Sequence, residues 1–459
     1  MSLNRLNTRK ALKMRNKVIY ASSIGNALEF FDFILYGAFF NVIASVFFPV
    51  QNETMSLLMS LGGFCVGFLM RPFGALIFGY FGDVFGRQKT LSVSVFLMGI
   101  PTLLIGILPG YHQIGMIAPI LIVAGRLIQG ICIGGEYAGA FIFASEHAQK
   151  NPGFIGGIIT ASCGIGALAA TGFSALASSP DFPEWFWRVP FLFGSLVSFF
   201  GYYIRRSLSE TPAFLNTFST AAIPILKTIQ IRKPACLLSF TLGALVGALV
   251  YTIFGFLNVY VVRYCFLPLS TAISINLIAL LFFVISSPFL GILYDRTPSF
   301  SFLRITAYLL FFSMIPIFWL ISSPFPSLIL LGEIFLGLCT ATIAGTSLAL
   351  MQKLFPVKER YSGMSFFFNL GMGILGGTAP VIYFEAIDVV KESLYFPAYY
   401  IMFLISMFYG ALLLSNYKNQ KKNEKSEGFG EIISIPRDPY FPLDFLEKEE
   451  ERKKVTHIG

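Results

Sequence analysis

Apolar runs long enough to cross a bilayer return along almost the whole of this chain, and no other feature limits its fold so strongly. They cover roughly residues 18–48, 57–81, 90–109, 116–144, 153–177, 186–205, 234–262, 271–293, 302–322, 324–352, 361–384 and 395–416. A spanning helix needs about 20 apolar residues. Pro324 and Pro326 mark the turn between two runs that otherwise merge. The runs are continuous rather than alternating, which selects helices, because backbone polar groups inside a bilayer must be satisfied within their own segment. With 55% hydrophobic and 12% charged residues, against about 25% charged in soluble proteins, the expected class is an all-α integral membrane protein of twelve transmembrane helices. Its organisation reads as a basic N-terminal segment (1–17), a six-helix half (18–205), a polar linker (206–233), a second six-helix half (234–416) and a charged tail (417–459).

The formal net charge of +9 would suit a nucleic-acid partner if it were clustered, but it is sorted by side. One set of connections carries Arg87, Lys89, Lys150, Arg205, Arg206, Arg232, Lys233, Arg296, Lys353, Lys358 and Arg360. The other set holds only Arg188, Arg263 and Lys391. This is the positive-inside asymmetry. It places both termini in the cytoplasm of a plasma (inner) membrane protein and gives no support for nucleic-acid binding. The basic start is not read as a cleaved signal, because the run after it is too long and contains Glu29 and Asp32. The six cysteines fall in or beside apolar runs without metal or disulfide spacing. Residues 1–17 are expected to be mobile at the inner leaflet.

Charges inside the runs carry the functional signal. At 100° per residue, Glu29, Asp32 and Tyr36 share about 60° of helix surface, with Asn26 beside them. Arg126, Gln129 and Glu136 share about 80° of the fourth helix. Arg71 and Glu333 complete six intramembrane charges. At about 3 kcal/mol each even on a gentle insertion scale, they must be paired, wet or protonated. Four acids against two bases leave a carboxylate without a fixed cation. The expected proton acceptors are Asp32, then Glu29, then Glu136. Residues expected to line a solute path are Asn26, Tyr36, Arg126, Gln129, Glu333 and Asn369.

The loop after the second run reads G-x-x-x-D-x-x-G-R-x-K from Gly79 to Lys89. It resembles the latch between helices two and three of the major facilitator superfamily, which implies gating roles for Gly79, Asp83, Gly86 and Arg87. The second half echoes the first, as Gly291 to Asp295 repeats the Gly79 to Asp83 spacing and Gly332-Glu333 aligns with Gly125-Arg126. This suggests a parallel duplication. A polar, uncharged stretch from Thr297 follows Asp295 and Arg296 in place of the basic run, so Asp295 is expected to gate less strongly. The alignment also places Arg126 and Glu333 as a pair facing across a central cavity, or else each pairing within its own half.

Four further stretches resemble the metabolite:proton symporter branch of that superfamily, which holds proline/betaine, α-ketoglutarate, citrate and shikimate transporters. They are G-N-x-L-E-x-x-D-F at 25–33, G-R-x-x-Q-G-x-x-x-G-G-E at 125–136, W-R-V-P-F at 187–191, and the F-P-V, N-L-G and G-G-T-A-P runs across 355–380. The resemblance implies alternating access driven by a proton gradient, with no cofactor and a small solute and protons as partners, in a functional monomer. The solute class stays open between zwitterionic osmolytes and small carboxylates, with proline or betaine favoured. Uncoupled or sodium-coupled transport is the alternative, as is a transporter-like sensor, though the tail is short for an output domain. No catalytic cluster of His, Cys or Ser points to an enzyme.

Overall fold

The computed structural model describes the backbone of residues 2–49, 53–148, 150–177, 182–216, 225–390 and 393–427. Twelve long helices run through it: α1 (Ser2–Ala38), α2 (Glu53–Val84), α3 (Arg87–Ile107), α4 (Ile117–Ala148), α5 (Pro152–Ala177), α6 (Arg188–Arg206), α7 (Lys233–Tyr264), α8 (Leu269–Asp295), α9 (Ser299–Ile321), α10 (Pro326–Leu354), α11 (Val357–Asp388) and α12 (Phe396–Glu427). Ten of these contain a stretch long and apolar enough to cross a membrane, and α2 and α6 complete two sets of six. Short helices, Pro212–Leu215 and Ile225–Ile231, punctuate the linker between the sets.

One boundary differs from the sequence reading. The helix of the first span begins at Ser2, inside the basic segment. Residues 2–24 contain no Pro or Gly and are rich in Leu, Lys, Arg and Ala, all good helix formers, so nothing stops the helix from growing back from the span. The charged tail expected over 417–459 begins inside a helix, since α12 continues to Glu427, and its remainder, 428–459, lies outside the described residues.

Two helices depart from regular α geometry. α7 contains a π-turn at Thr252–Phe256, and α11 contains π-turns at Met372–Gly376 and Glu385–Val389. Such single wide turns free a carbonyl from the i→i−4 ladder. In α7 the Ile253 carbonyl accepts instead from Asn276 Nδ2 of α8, at 2.8 Å.

The two halves meet where α2 packs on α11 and where α5 packs on α8 and α10. Small residues make the approach possible, as in other helix pairs that lack a hydrophobic drive between them. At the α5–α10 crossing, a Cβ on Gly156 would strike the backbone carbonyl of Gly345, whereas one on Gly345 would come 3.1 Å from the Gly157 Cα, a tight but yielding contact. Among the described residues, a cavity between the halves measures about 10 Å³ and is lined by residues that include Phe30, Tyr137, Cys163, Phe254 and Met372. This is room for about one water molecule, and the halves pack closely around it. The α5–α10 contact predicts graded effects. Gly156→Ala should displace the population from this closed conformation more than Gly345→Ala, read as faster labelling of cysteines introduced along α5 and α10. Equal labelling in the two variants would show that the crossing does not limit closure.

Candidate solute path and gate

The candidate gate is built from helix ends. Asp83 lies in the last turn of α2, where a carboxylate is disfavoured by its own helix dipole. It faces instead the start of α11, accepting from the Tyr361 and Ser362 backbone N–H groups (3.2 and 2.9 Å) and from Ser362 Oγ (2.7 Å). These are the orphan donors that every helix N-terminus presents. Gly86 follows with φ of 107°, a turn open to glycine at little cost. It brings Arg87 back so that Nη2 sits 3.4 Å from Asp83 and donates to the Val357 carbonyl at 2.7 Å. Gly79 packs directly on Ser362.

Asp295 makes the same contact from the other half. At the end of α8 it accepts from the Gly153 and Phe154 N–H groups at the start of α5, at 2.7 and 2.8 Å. The expected weakness of this second latch therefore concerns its missing basic partner and not the cap itself. The end of the second helix in each half caps the fifth helix of the opposite half.

A buried charge network surrounds the Asp83 side. Glu146 of α4 binds Arg360 (2.9 Å) and Thr211 Oγ1 (2.6 Å) and lies 3.5 Å from Arg87. Glu210 of the linker accepts from the Gln88 N–H at 3.0 Å, and Glu359 pairs with Arg232 and accepts from Thr228. Glu146 is buried, at 5% exposure, and so is Arg205, at 3%, which the sequence placed among the charges of the connections. The signal that was available is their position at the ends of apolar runs, where a charge can still turn inward.

Within the first half, Asp32 and Arg126 stand at the two ends of one polar chain. Thr102 Oγ1 donates to Asp32 Oδ2 at 2.6 Å, Gln129 Nε2 donates to Thr102 Oγ1 at 2.9 Å, and Arg126 Nη1 donates to Gln129 Oε1 at 2.9 Å. The Arg126 guanidinium also lies over the rings of Tyr36 (4.3 Å) and Phe33 (5.3 Å). Thr102 on α3 is the link the sequence reading missed. Asn26 ties α1 to α5, its amide donating to the Ile159 carbonyl, Ser162 Oγ and Cys163 Sγ. Glu136 is ion-paired with Arg205 and accepts from Ser94 Oγ at 2.8 Å, which gives it a fixed cation and weakens its claim as a proton carrier.

The facing pair expected from the repeat does not form here. Arg126 is held among α1, α3 and α4. Glu333 is enclosed in the second half, accepting from Asn276 Nδ2 at 3.1 Å. The neighbouring Gly332 packs on α9 and Gly337 on α7 and α8, so this wall of α10 faces its own half. Asn369, by contrast, does cross the midline, accepting from Arg71 Nε at 3.1 Å and donating to the Gly134 carbonyl at 2.8 Å. Among the described residues, no group of three His, Cys, Asp or Glu converges as metal ligands.

Twelve long helices in two sets of six, joined by interlocking helix caps and carrying buried charges, fit a membrane transporter. The chain belongs to the Major Facilitator Superfamily, whose family model matches residues 23–380. It is 30% identical over 429 residues to the glycine betaine/proline/ectoine/pipecolic acid transporter OusA of Dickeya dadantii, covering 90% of this chain and 85% of that one. It is 34% identical over 395 residues to the inner membrane metabolite transport protein YhjE of Escherichia coli (81% and 88% covered), and 30% identical over 403 residues to the proline/betaine transporter of the same organism (84% and 80%). Among solved structures, the proton:xylose symporter XylE matches with a TM-score of 0.68 at 14% identity over 89% of this chain and 96% of that one, a likeness of fold.

Since each cap rests on two backbone N–H groups, Asp83→Ala and Asp295→Ala are both expected to open this face. Each should cost about 1 kcal/mol of closure, the usual loss when an N-cap is cut back to alanine, or a roughly fivefold shift in population, and Asp83→Ala loses its Ser362 Oγ and Arg87 contacts besides. Spin-label distances across the α2–α11 and α5–α8 contacts measure this. A shift in only one variant would assign the gate to that side alone.

Proposed function

We propose that the chain is a proton-coupled symporter of a small zwitterionic osmolyte of the proline or betaine kind, working by alternating access with the gate face in the cytoplasm. The orientation is supported by the basic residues, which collect on the gate face. The solute class is supported by the named functions of OusA and the proline/betaine transporters, and coupling to protons by the buried acid on α1.

The observation that carries the reading is Asp32. It is 1% exposed, its Oδ2 is held by Thr102, and its Oδ1 has no hydrogen-bond partner. A carboxylate so placed is costly while charged, and a proton removes the cost. Proton arrival also changes what Thr102, Gln129 and Arg126 are attached to, since a protonated acid no longer attracts the far end of the chain. Charge on α1 is thereby linked to α3 and α4, the helices that carry the Arg87 and Glu146 ends of the gate. Proton release inside would accompany solute release once the Asp83 and Asp295 caps part.

Proteoliposomes with an imposed inward pH gradient test this. Labelled proline or glycine betaine should accumulate, and a dicarboxylate such as α-ketoglutarate should not. Asp32→Asn is expected to abolish accumulation while sparing exchange of internal for external solute. Arg126→Lys, which keeps the charge but loses the planar fork on Gln129 and Tyr36, should lower uptake about tenfold. Concentrative uptake by Asp32→Asn would move the proton site elsewhere, and accumulation of the dicarboxylate alone would exclude the osmolyte class.

A further inference from the structure

Two charged groups at the centre of the molecule are left with bonding capacity that no protein group uses. Glu29 is 1% exposed, and neither carboxylate oxygen has a hydrogen-bond partner. Arg71 is also 1% exposed. Its Nε donates to Asn369 and its Nη1 to Tyr251 Oη at 2.7 Å, but Nη2 has no partner. The two do not form an ion pair with each other, yet each lies in the field of the other, and Glu136 and Arg205 also bear on Glu29. Glu136 is already taken by Arg205. The open valences are therefore one guanidinium edge and one carboxylate, held apart.

Their location sets them apart from the polar chain of Asp32. Glu29 comes from α1 and Arg71 from α2, while the anchors of Arg71, Tyr251 and Asn369, come from α7 and α11 of the other half. Tyr137 and Cys163, which line the central cavity, lie in the field of both charges. Aromatic faces surround the place: Phe33, Phe68 and Tyr251 form an edge-to-face cluster with centroids 4.7 and 4.6 Å apart, and Phe30 meets Tyr137 at 6.3 Å. Such rings favour an alkylated cation over a hydrated one. A guanidinium with a free edge favours a carboxylate.

We infer that Arg71 and Glu29 are the two poles of the solute site, Arg71 Nη2 taking the carboxylate and Glu29, with the aromatic cluster, taking the ammonium of a zwitterion. The inference rests on the symporter reading above and adds to it the residues that select the substrate. It also explains why Arg71 is tied to the second half by two bonds. The group that takes the solute carboxylate bridges the halves, so occupancy is felt by both. In the conformation described neither pole lines the small central cavity, and the site takes its solute when the halves part.

Direct binding tests the inference separately from coupling. Full-length protein in lipid nanodiscs is titrated calorimetrically with L-proline, glycine betaine, propionate (the anionic end alone) and choline (the cationic end alone). The wild type should bind a zwitterion at least about tenfold more tightly than either half-probe, the scale of one charged hydrogen bond. Arg71→Gln should weaken zwitterion and propionate by about tenfold or more. The isosteric Glu29→Gln should weaken zwitterion and choline similarly while leaving propionate no weaker, a pattern that loss of folding cannot produce. Unchanged zwitterion affinity in either variant overturns the site, as does a wild type that binds propionate or choline as tightly as the zwitterion. Gradient-driven uptake by the wild type is measured alongside. Absent uptake with the expected binding pattern would sink proton coupling and leave the site standing, whereas intact uptake with unaltered variants would do the reverse.

Discussion

The cost of holding charge away from water governs most of what is distinctive here. A charge at mid-span is tolerated only with a partner, a proton or a ligand. The described structure uses different solutions in different places. Glu136 with Arg205, and Glu146 with Arg360, are satisfied inside the protein and act as fixed joints. Asp83 and Asp295 are satisfied by backbone N–H groups of the opposite half. Asp32 is half satisfied, and Glu29 is not satisfied at all. This gradation separates the internally satisfied charges from those left open to a proton or a ligand better than burial does, since all but Asp295 are buried.

The fold was largely legible before any coordinates. Twelve span-length runs leave helices as the sole economical choice, and most observed boundaries fall within a few residues of the apolar limits, the exceptions being α1 and α12, which run on into the charged segments as far as Ser2 and Glu427. The gate was legible in part. Spacing marks Asp83, Gly86 and Arg87, but the partner of Asp83 is a pair of backbone amides at 361 and 362, and amides carry no sequence signature. The same silence hid the strength of Asp295, which looks degenerate only when side chains are counted.

The central charges were found but their pairings were not. Helical arcs place Glu29 with Asp32 and Arg126 with Gln129 and Glu136, since an arc is a local property. Which arc meets which depends on helix rotation, set by glycine contacts such as Gly332 on α9 and Gly337 on α7 and α8. Of the two arrangements that the repeat alignment allowed for Arg126 and Glu333, the structure shows each bonded within its own half. Thr102, Tyr251 and Arg205 were passed over because a hydroxyl in an apolar run, or a base at its end, is the commonest of features.

The crossed arrangement of the two caps has a kinetic side. Each carboxylate ends one half and grips the other, so once one cap has formed, the second meets its amides at the high effective concentration of an intramolecular contact. Two modest bonds then close the face together, and breaking one leaves its mate in position to guide it back. The proposed gate would then act as a bivalent clasp, its two caps closing and parting together. A carrier that must never be open to both sides at once gains tightness from such a clasp without the need for any single strong bond that would be slow to break.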